Sequence, residues 1–106
     1  MNGHHHKLLK ELAKDNKLSQ RELSKRLRLS LGRVNYVLNA LITSGLIKAM
    51  RFKNSKNKMA YMYTLTPEGL IKKAELAPVF LRKKMIEYNT LWEEIEELKK
   101  EIDDNQ

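Results

Sequence analysis

The sequence predicts a mainly helical α+β fold, in which a small β-hairpin follows a group of short helices and a long helix ends the chain. Apolar residues recur at helical spacing up to about position 44 and alternate with period two between positions 47 and 65. After position 81 they repeat every seven residues, as in a coiled coil. With 106 residues in total, we expect one domain over 7–77 and a separate dimerisation helix over 78–106.

The net charge of +8 is concentrated in the first two thirds of the chain. Residues 1–66 contain 14 Lys or Arg against 3 acidic residues, whereas residues 87–106 contain 2 against 8. Such a surface can serve solubility alone, but its overlap with the predicted helices favours a polyanionic partner such as nucleic acid. The chain has no Cys and no apolar run typical of a membrane span or a secretory signal. We therefore expect a cytoplasmic protein that does not contact a membrane.

The first six residues, MNGHHH, contain all three His of the chain. A His cluster can bind a metal ion, but we interpret residues 1–6 as a flexible tail or a tag remnant, and we expect neither a metal nor a cofactor. The first helix is predicted over Lys7 to Asp15. Its residues at inward helical spacing are Leu8, Leu9, Leu12 and Ala13.

Two capped helices come next. Ser19 and Glu22 form a capping box for a second helix that ends by Arg28. Ser30 caps a third helix, and Gly45 ends it as a left-handed residue. Two short helices joined by so tight a turn predict a helix-turn-helix. Their inward-facing residues are Leu23, Leu27, Val34, Leu38, Leu41 and Ile42.

The exposed face of the third helix is polar and lacks acidic residues. A solvated face normally carries Lys and Glu, whereas this one offers groups that hydrogen-bond to base edges or stack on bases. An ordinary polar surface stays open as the alternative. Arg33 suits guanine and Asn35 or Asn39 suits adenine, while the Tyr36 ring can instead pack under the hairpin. The candidate base-contacting residues are Ser30, Leu31, Gly32, Arg33, Asn35, Tyr36 and Asn39.

A hairpin is predicted from two β-forming segments, Ile47–Lys53 and Met59–Leu65, separated by the turn-prone Asn54–Lys58. Three helices followed by such a hairpin make a winged helix-turn-helix domain, whose wing reaches the DNA backbone or minor groove. Hairpin tips are commonly polar, but four cations without an acid favour phosphate contacts. The candidate backbone-contacting residues are Ser19, Gln20, Arg21, Arg51, Lys53, Lys56 and Lys58.

The C-terminal segment predicts a helix with its own apolar stripe. Thr66, Pro67 and Glu68 form a helix start, and Pro78 is expected to break or bend this helix after Ala77. The stripe can pack back on its own domain, but an acidic helix that follows a complete domain favours pairing between two copies, in either strand direction. The candidate dimerisation residues are Leu81, Tyr88, Leu91, Trp92, Ile95, Leu98 and Ile102.

The segment LSQRELSKRLRLSLGRVNYVLNALITSGLIK, followed by FKNSKNKMAYMYTLTPEGL, resembles the MarR-type regulators found with exopolysaccharide biosynthesis clusters. The likeness covers about residues 7–100, and LGRVNY and KNSKNK are its distinctive strings. It implies a cytoplasmic, dimeric DNA-binding protein with Leu31 to Asn39 as the reading helix and Lys53 to Lys58 as the wing. Arg28 departs from the family, which tends to have Gly in that turn. Larger MarR proteins often bind a small-molecule effector, but this short chain shows no obvious ligand site.

These features predict a dimeric, sequence-specific binder of double-stranded DNA that regulates transcription, with exopolysaccharide genes as its targets by resemblance. We do not expect an enzyme, because the sequence offers no convergent set of nucleophile, base and oxyanion donors and no metal cage. Two alternatives stay open. One is a winged-helix module that docks on proteins and is oligomerised by its acidic helix, and the other is a binder of structured RNA.

Overall fold

The computed structural model describes residues 3–105. The elements are α1 (Gly3–Lys14), α2 (Gln20–Leu27), α3 (Leu31–Thr43), β1 (Ile47–Lys53), β2 (Met59–Leu65) and α4 (Pro67–Asp104). The two strands pair antiparallel, with Ile47 opposite Leu65 and Lys53 opposite Met59. The chain divides into two compact units, of which the first ends at Leu76 and the second begins at Ala77.

Aliphatic side chains from the first three helices form the core of the first unit. Each helix buries one stripe, because residues three and four positions apart share a helix face. The base of the hairpin closes this core. Burial of a Leu or Val side chain contributes about 1.5–3 kcal/mol, so this cluster is the main source of stability. The buried residues are Leu8, Leu9, Leu12, Leu18, Leu23, Val34, Val37, Leu38, Leu41, Leu46, Ile47 and Tyr63.

The predicted buried stripes differ from the observed ones at their edges. Ala13 is exposed, and Ile42 and Leu27 are only half-buried, whereas Val37 is buried without having been predicted. Positions at the margin of a stripe are buried or exposed according to how closely the neighbouring helix approaches, which periodicity does not encode. The prediction is therefore right for the centre of each stripe and uncertain by one position at its border.

The first helix begins one turn earlier than predicted, at Gly3, so residues 3–6 are helical rather than a flexible tail. The rest of the predicted tail lies outside the described residues. The His side chains of this turn are half-buried, and burial lowers the pKa of His6, with Lys10 and Lys73 adding charge repulsion. Lys73 belongs to α4, so the charge that acts on His6 comes from a distant part of the sequence.

The turn between α2 and α3 contains a non-glycine residue in the left-handed conformation. Arg28 has φ 54° and ψ 43°, and its backbone N–H donates to the carbonyl of Ser24. The N–H of Leu29 donates to the same carbonyl at 3.1 Å, and the Ser24 hydroxyl donates in return to the Leu29 carbonyl. The turn thus requires a positive φ at position 28, a conformation that Gly adopts readily. This is the position at which the sequence departs from the family that it resembles. A non-glycine residue there costs about 1–2 kcal/mol.

The end of α3 and the hairpin follow the predicted pattern. Gly45 has φ 75° and donates its N–H to Ile42, while the Leu46 N–H donates to Leu41, which is a Schellman motif. In the hairpin loop, the Asn54 side-chain oxygen accepts from the backbone N–H groups of Lys56 and Lys58. The loop is therefore ordered by its own amide side chain.

The last helix starts where predicted. The Thr66 hydroxyl accepts from the Gly69 N–H at 3.1 Å and donates to the Gly45 carbonyl, which ties the start of α4 to the end of α3. Pro78 is expected to break or bend the helix, and of these two outcomes the break is wrong, because Pro78 lies inside a helix of 38 residues. Proline removes one intrahelical hydrogen bond, and the long helical segments on both sides carry the chain across that gap.

Candidate nucleic-acid interface

The start of α3 is positioned by Ser30. Its hydroxyl accepts from the Arg33 N–H at 3.0 Å, and the same arrangement starts α2, where Ser19 and Glu22 form both bonds of the capping box. Both N-caps have the extended backbone that capping requires. Because Val34 and Leu38 are fully buried, the opposite face of α3 is held toward solvent.

The first turns of α3 expose all the predicted base-contacting residues. Tyr36 is 66% exposed, and the Arg33 guanidinium lies 6.0 Å from the centre of its ring. The alternative in which Tyr36 packs under the hairpin therefore does not occur in this structure. Arg33 and Tyr36 instead form an adjacent pair that can present a planar cation and an aromatic face to the same partner. Gly32 has open space around it, so no side chain blocks close approach at this turn.

The two Asn residues of α3 belong to a chain of side-chain hydrogen bonds. Asn39 donates to the Asn35 oxygen at 3.2 Å, and Asn35 donates to the Gln20 oxygen at 3.3 Å. Gln20 in turn donates to the hydroxyl of Tyr63 at 3.2 Å. Tyr63 is 5% exposed, so the chain leads from the core, through α2, to the outer face of α3. No local sequence pattern indicates this link, since its members lie up to 43 positions apart.

The wing carries its cations on an exposed hairpin. Lys56 and Lys58 are exposed in the loop that Asn54 orders. Further down the strands, the Arg51 guanidinium lies 6.0 Å from the ring centre of Tyr61, which stacks on Tyr63 with 6.0 Å between the centroids. Tyr61 itself is 51% exposed, because the hairpin extends beyond the core at this point. It adds to the wing an aromatic surface that is not among the predicted site residues.

An open cleft of about 720 Å³ separates the start of α2 from the wing. Ser19, Gln20 and Lys53 line it together, so the structure brings part of the predicted backbone-contacting set to one place. Glu22 also lines it, and its carboxylate is engaged by the Ser19 N–H of the capping box at 3.4 Å. Arg21 is exposed on the same helix.

The charge on this surface is available to a partner. Within residues 3–105 the ion pairs involve other cations, with Glu11 near Lys14 and Arg26 at 3.9 and 3.7 Å and further pairs along α4. An unpaired cation gains more binding free energy from a phosphate than a cation that must first break an ion pair with a carboxylate. The cations predicted to contact DNA all lie outside these pairs, and they are Arg21, Arg33, Arg51, Lys53, Lys56 and Lys58.

The first 48 residues match a family model described as winged helix-turn-helix DNA-binding. The PcaV transcriptional regulator from Streptomyces coelicolor, solved with its natural ligand, has a TM-score of 0.69 and 22% identity over 81% of this chain and 60% of that chain. The chain has a MarR-like winged-helix fold. The predicted fold class is therefore confirmed.

Two further structures share this winged-helix fold. MepR of Staphylococcus aureus in complex with DNA has a TM-score of 0.65 and 19% identity over 79% of this chain and 60% of that chain. MarR of Staphylococcus aureus with salicylate and kanamycin has a TM-score of 0.59 and 24% identity over 80% of this chain and 55% of that chain. The match to this chain covers 55–60% of the length of each of the three proteins. No curated protein matches it.

The second unit of this winged-helix protein exposes its predicted dimerisation residues. The seven side chains of the stripe between positions 81 and 102 are 43–67% exposed. In the same unit, Lys84 pairs with Glu87 at 3.1 Å and Lys99 with Glu96 at 3.4 Å. Across residues 3–105, no helix is long and apolar enough to cross a bilayer, and no three His, Cys or acidic side chains are grouped to hold a metal ion.

Proposed function

We propose that the protein is a dimeric, sequence-specific binder of double-stranded DNA that regulates transcription. The observation that carries this proposal is the exposed, acid-free face of α3, which lies on the same compact unit as unpaired cations of α2 and of the wing. The description of the matching family model and the DNA bound to MepR support it. Such a surface combines side chains that can hydrogen-bond to base edges with side chains that can bind phosphates. Sequence-specific DNA binding needs both kinds of contact.

In the proposed complex, α3 enters the major groove. Arg33 donates two hydrogen bonds to guanine O6 and N7, while the wing cations Lys56 and Lys58 contact phosphates. Two copies pair through the stripe of the second unit, since an apolar stripe of this extent is costly to leave in water. Two α3 helices related by this pairing read an inverted repeat whose half-sites lie about 10 base pairs, or a multiple of that, apart.

We infer that the protein acts in the cytoplasm and that its targets are exopolysaccharide biosynthesis genes. The distinctive LGRVNY and KNSKNK strings support the choice of genes, through the resemblance described above. The PcaV and MarR structures contain small molecules. For this protein we propose DNA as the ligand and assign no effector.

Selection from a pool of randomised duplexes, followed by titration at several salt concentrations, tests this function. We expect an enriched inverted repeat, and affinity for it that falls with log salt by about 0.9 per neutralised phosphate. The same titration with a structured RNA and with a random duplex provides the controls. Equal affinity for RNA, or no enriched sequence together with a flat salt dependence, would support the RNA-binding or protein-docking alternative and contradict the proposal.

A further inference from the structure

We propose that Asn39 is the adenine-reading residue of α3, and that the chain formed by Tyr63, Gln20 and Asn35 positions it. This inference rests on the proposed function. It adds the identity of the amide that reads a base and of the residues that position that amide. Sequence reasoning treated Asn35 and Asn39 as equivalent readers and Gln20 as a phosphate contact. The hydrogen bonds of the structure distinguish them.

The bonding capacity of an amide side chain separates the two Asn residues. Reading adenine requires one donor and one acceptor on the same amide, directed at N7 and N6. Asn35 uses one acceptor site of its oxygen for Asn39 and one N–H for Gln20, so the protein fixes the plane of its amide and leaves it one N–H and one lone pair. Asn39 ends the chain and uses only one N–H in it. Its oxygen and second N–H form the donor and acceptor pair that adenine needs.

The anchor of the chain lies in the core. Tyr63 is 5% exposed, and its backbone N–H also donates to the Asn16 carbonyl at 3.0 Å, so its hydroxyl is a fixed point. Gln20 is half-buried in the first turn of α2 and joins this fixed hydroxyl to Asn35. A side chain held by such a network loses less rotamer freedom on binding than a solvated one. Gln20 is therefore a positioning residue that reduces the cost of presenting Asn39.

The two roles of Gln20 predict different losses. A phosphate contact supplies affinity for every sequence alike, whereas a positioning residue supplies it only where Asn39 meets its base. Gln20→Met keeps the length of the side chain and removes both hydrogen bonds. In Gln20→Glu, one carboxylate oxygen still accepts from the Asn35 amide. The other accepts from the Tyr63 hydroxyl, which reverses the direction of the wild-type hydrogen bond. The Glu variant adds a negative charge, so it should weaken binding to all duplexes alike while it retains the preference for the same base.

The decisive experiment is duplex selection with five single variants of the full chain, Asn39→Ala, Asn35→Ala, Gln20→Met, Gln20→Glu and Tyr63→Phe. We expect Asn39→Ala to abolish selection of adenine at one symmetric pair of positions. Asn35→Ala and Gln20→Met should relax the same positions and reduce affinity for the selected duplex by roughly 2- to 12-fold, the range for one net hydrogen bond. Random-duplex affinity should stay unchanged in Gln20→Met, and Gln20→Glu should restore selection. Relaxation at a different position in Asn35→Ala, or equal losses on all duplexes in Gln20→Met, would overturn the proposal.

A measurement without DNA separates this inference from the proposed function. In NMR spectra of the free protein, Gln20→Met should shift the side-chain amide resonances of Asn35 and Asn39, and Tyr63→Phe should shift those of Gln20. Unmoved amide resonances would disprove the positioning chain even if the protein binds its operator. If the resonances move and wild type selects no sequence, the chain exists but both the DNA-binding function and the role of Asn39 are wrong.

Discussion

The backbone of Gly69 lies against the carbonyl oxygen of Leu46, so closely that a Cβ atom at position 69 would overlap it. The same carbonyl accepts the backbone N–H of Thr66 at 3.1 Å, and the Thr66 hydroxyl caps α4. The start of the last helix is thus packed directly on the turn that follows α3. Only a residue without a side chain allows this approach.

Gly69→Ala should destabilise the protein by about 1–3 kcal/mol, because the added methyl must displace a backbone that is held by a hydrogen bond. Gly32→Ala is the matched control, since Gly32 lies in α3 with open space around it. That substitution should stabilise the fold by about 0.5–1 kcal/mol through helix propensity alone. Urea unfolding followed by circular dichroism measures both changes. Equal effects of the two substitutions on the free energy of unfolding would show that the close contact with Leu46 does not require Gly at position 69.

Arg28→Gly should stabilise the protein, because Arg28 occupies a left-handed conformation that favours glycine. Removal of the steric penalty, which is about 1–2 kcal/mol, outweighs the greater entropy of Gly in the unfolded chain, about 0.4–1 kcal/mol. Arg28→Ala removes the same cation but keeps the penalty, so it should leave stability near the wild-type value. Chemical unfolding of the three proteins compares them directly. A less stable Gly variant would mean that the Arg28 side chain itself supports the turn.

The double substitution Leu91→Asp and Ile95→Asp should convert the protein to a monomer, because two buried carboxylates per helix are incompatible with an apolar pairing surface. Sedimentation measures the change in mass, and circular dichroism should show that the first unit stays folded. The control adds the same charge off the stripe, with Asn89→Asp and Thr90→Asp, and should remain a dimer. A dimer that survives the first pair of changes would place the contact on another surface.

Replacing Lys56 and Lys58 with Ala should weaken binding to all duplexes by a similar factor and lower the salt slope by about one per lost contact. The two side chains are exposed on the wing, outside the ion pairs of the described residues. Lys99→Ala with Lys100→Ala removes the same charge from the second unit and should leave the salt slope unchanged. If both pairs of substitutions lower affinity equally, the effect comes from net charge and not from contacts of the wing.

Arg33→Ala should lower operator affinity by about 1–3 kcal/mol and relax selection of guanine at one symmetric pair of positions. Arg33→Lys is the informative partner, since it keeps the charge but loses the two-donor geometry. We expect the Lys variant to bind random duplex like wild type and to lose most of the guanine preference. Equal losses on operator and random DNA in the Ala variant would make Arg33 a phosphate contact.

The sequence by itself determined the boundaries of most elements, because the signals that set them are local. The capping box of Ser19 and Glu22, the cap at Ser30 and the Gly45 stop all act within a few residues of the helix ends that they define. The two strands lie where period-two patterning placed them, since the loop between them has its own turn chemistry. The acid-free face of α3 likewise follows from periodicity alone.

The tertiary structure alone decided how distant residues act together. The chain from Tyr63 through Gln20 to Asn35 joins a strand to two helices, and the contact of Gly69 with Leu46 joins the start of one helix to the end of another. No local pattern encodes such contacts, because they depend on the relative placement of packed elements. The half-buried His side chains at the start of α1 are a further feature that only the tertiary structure shows.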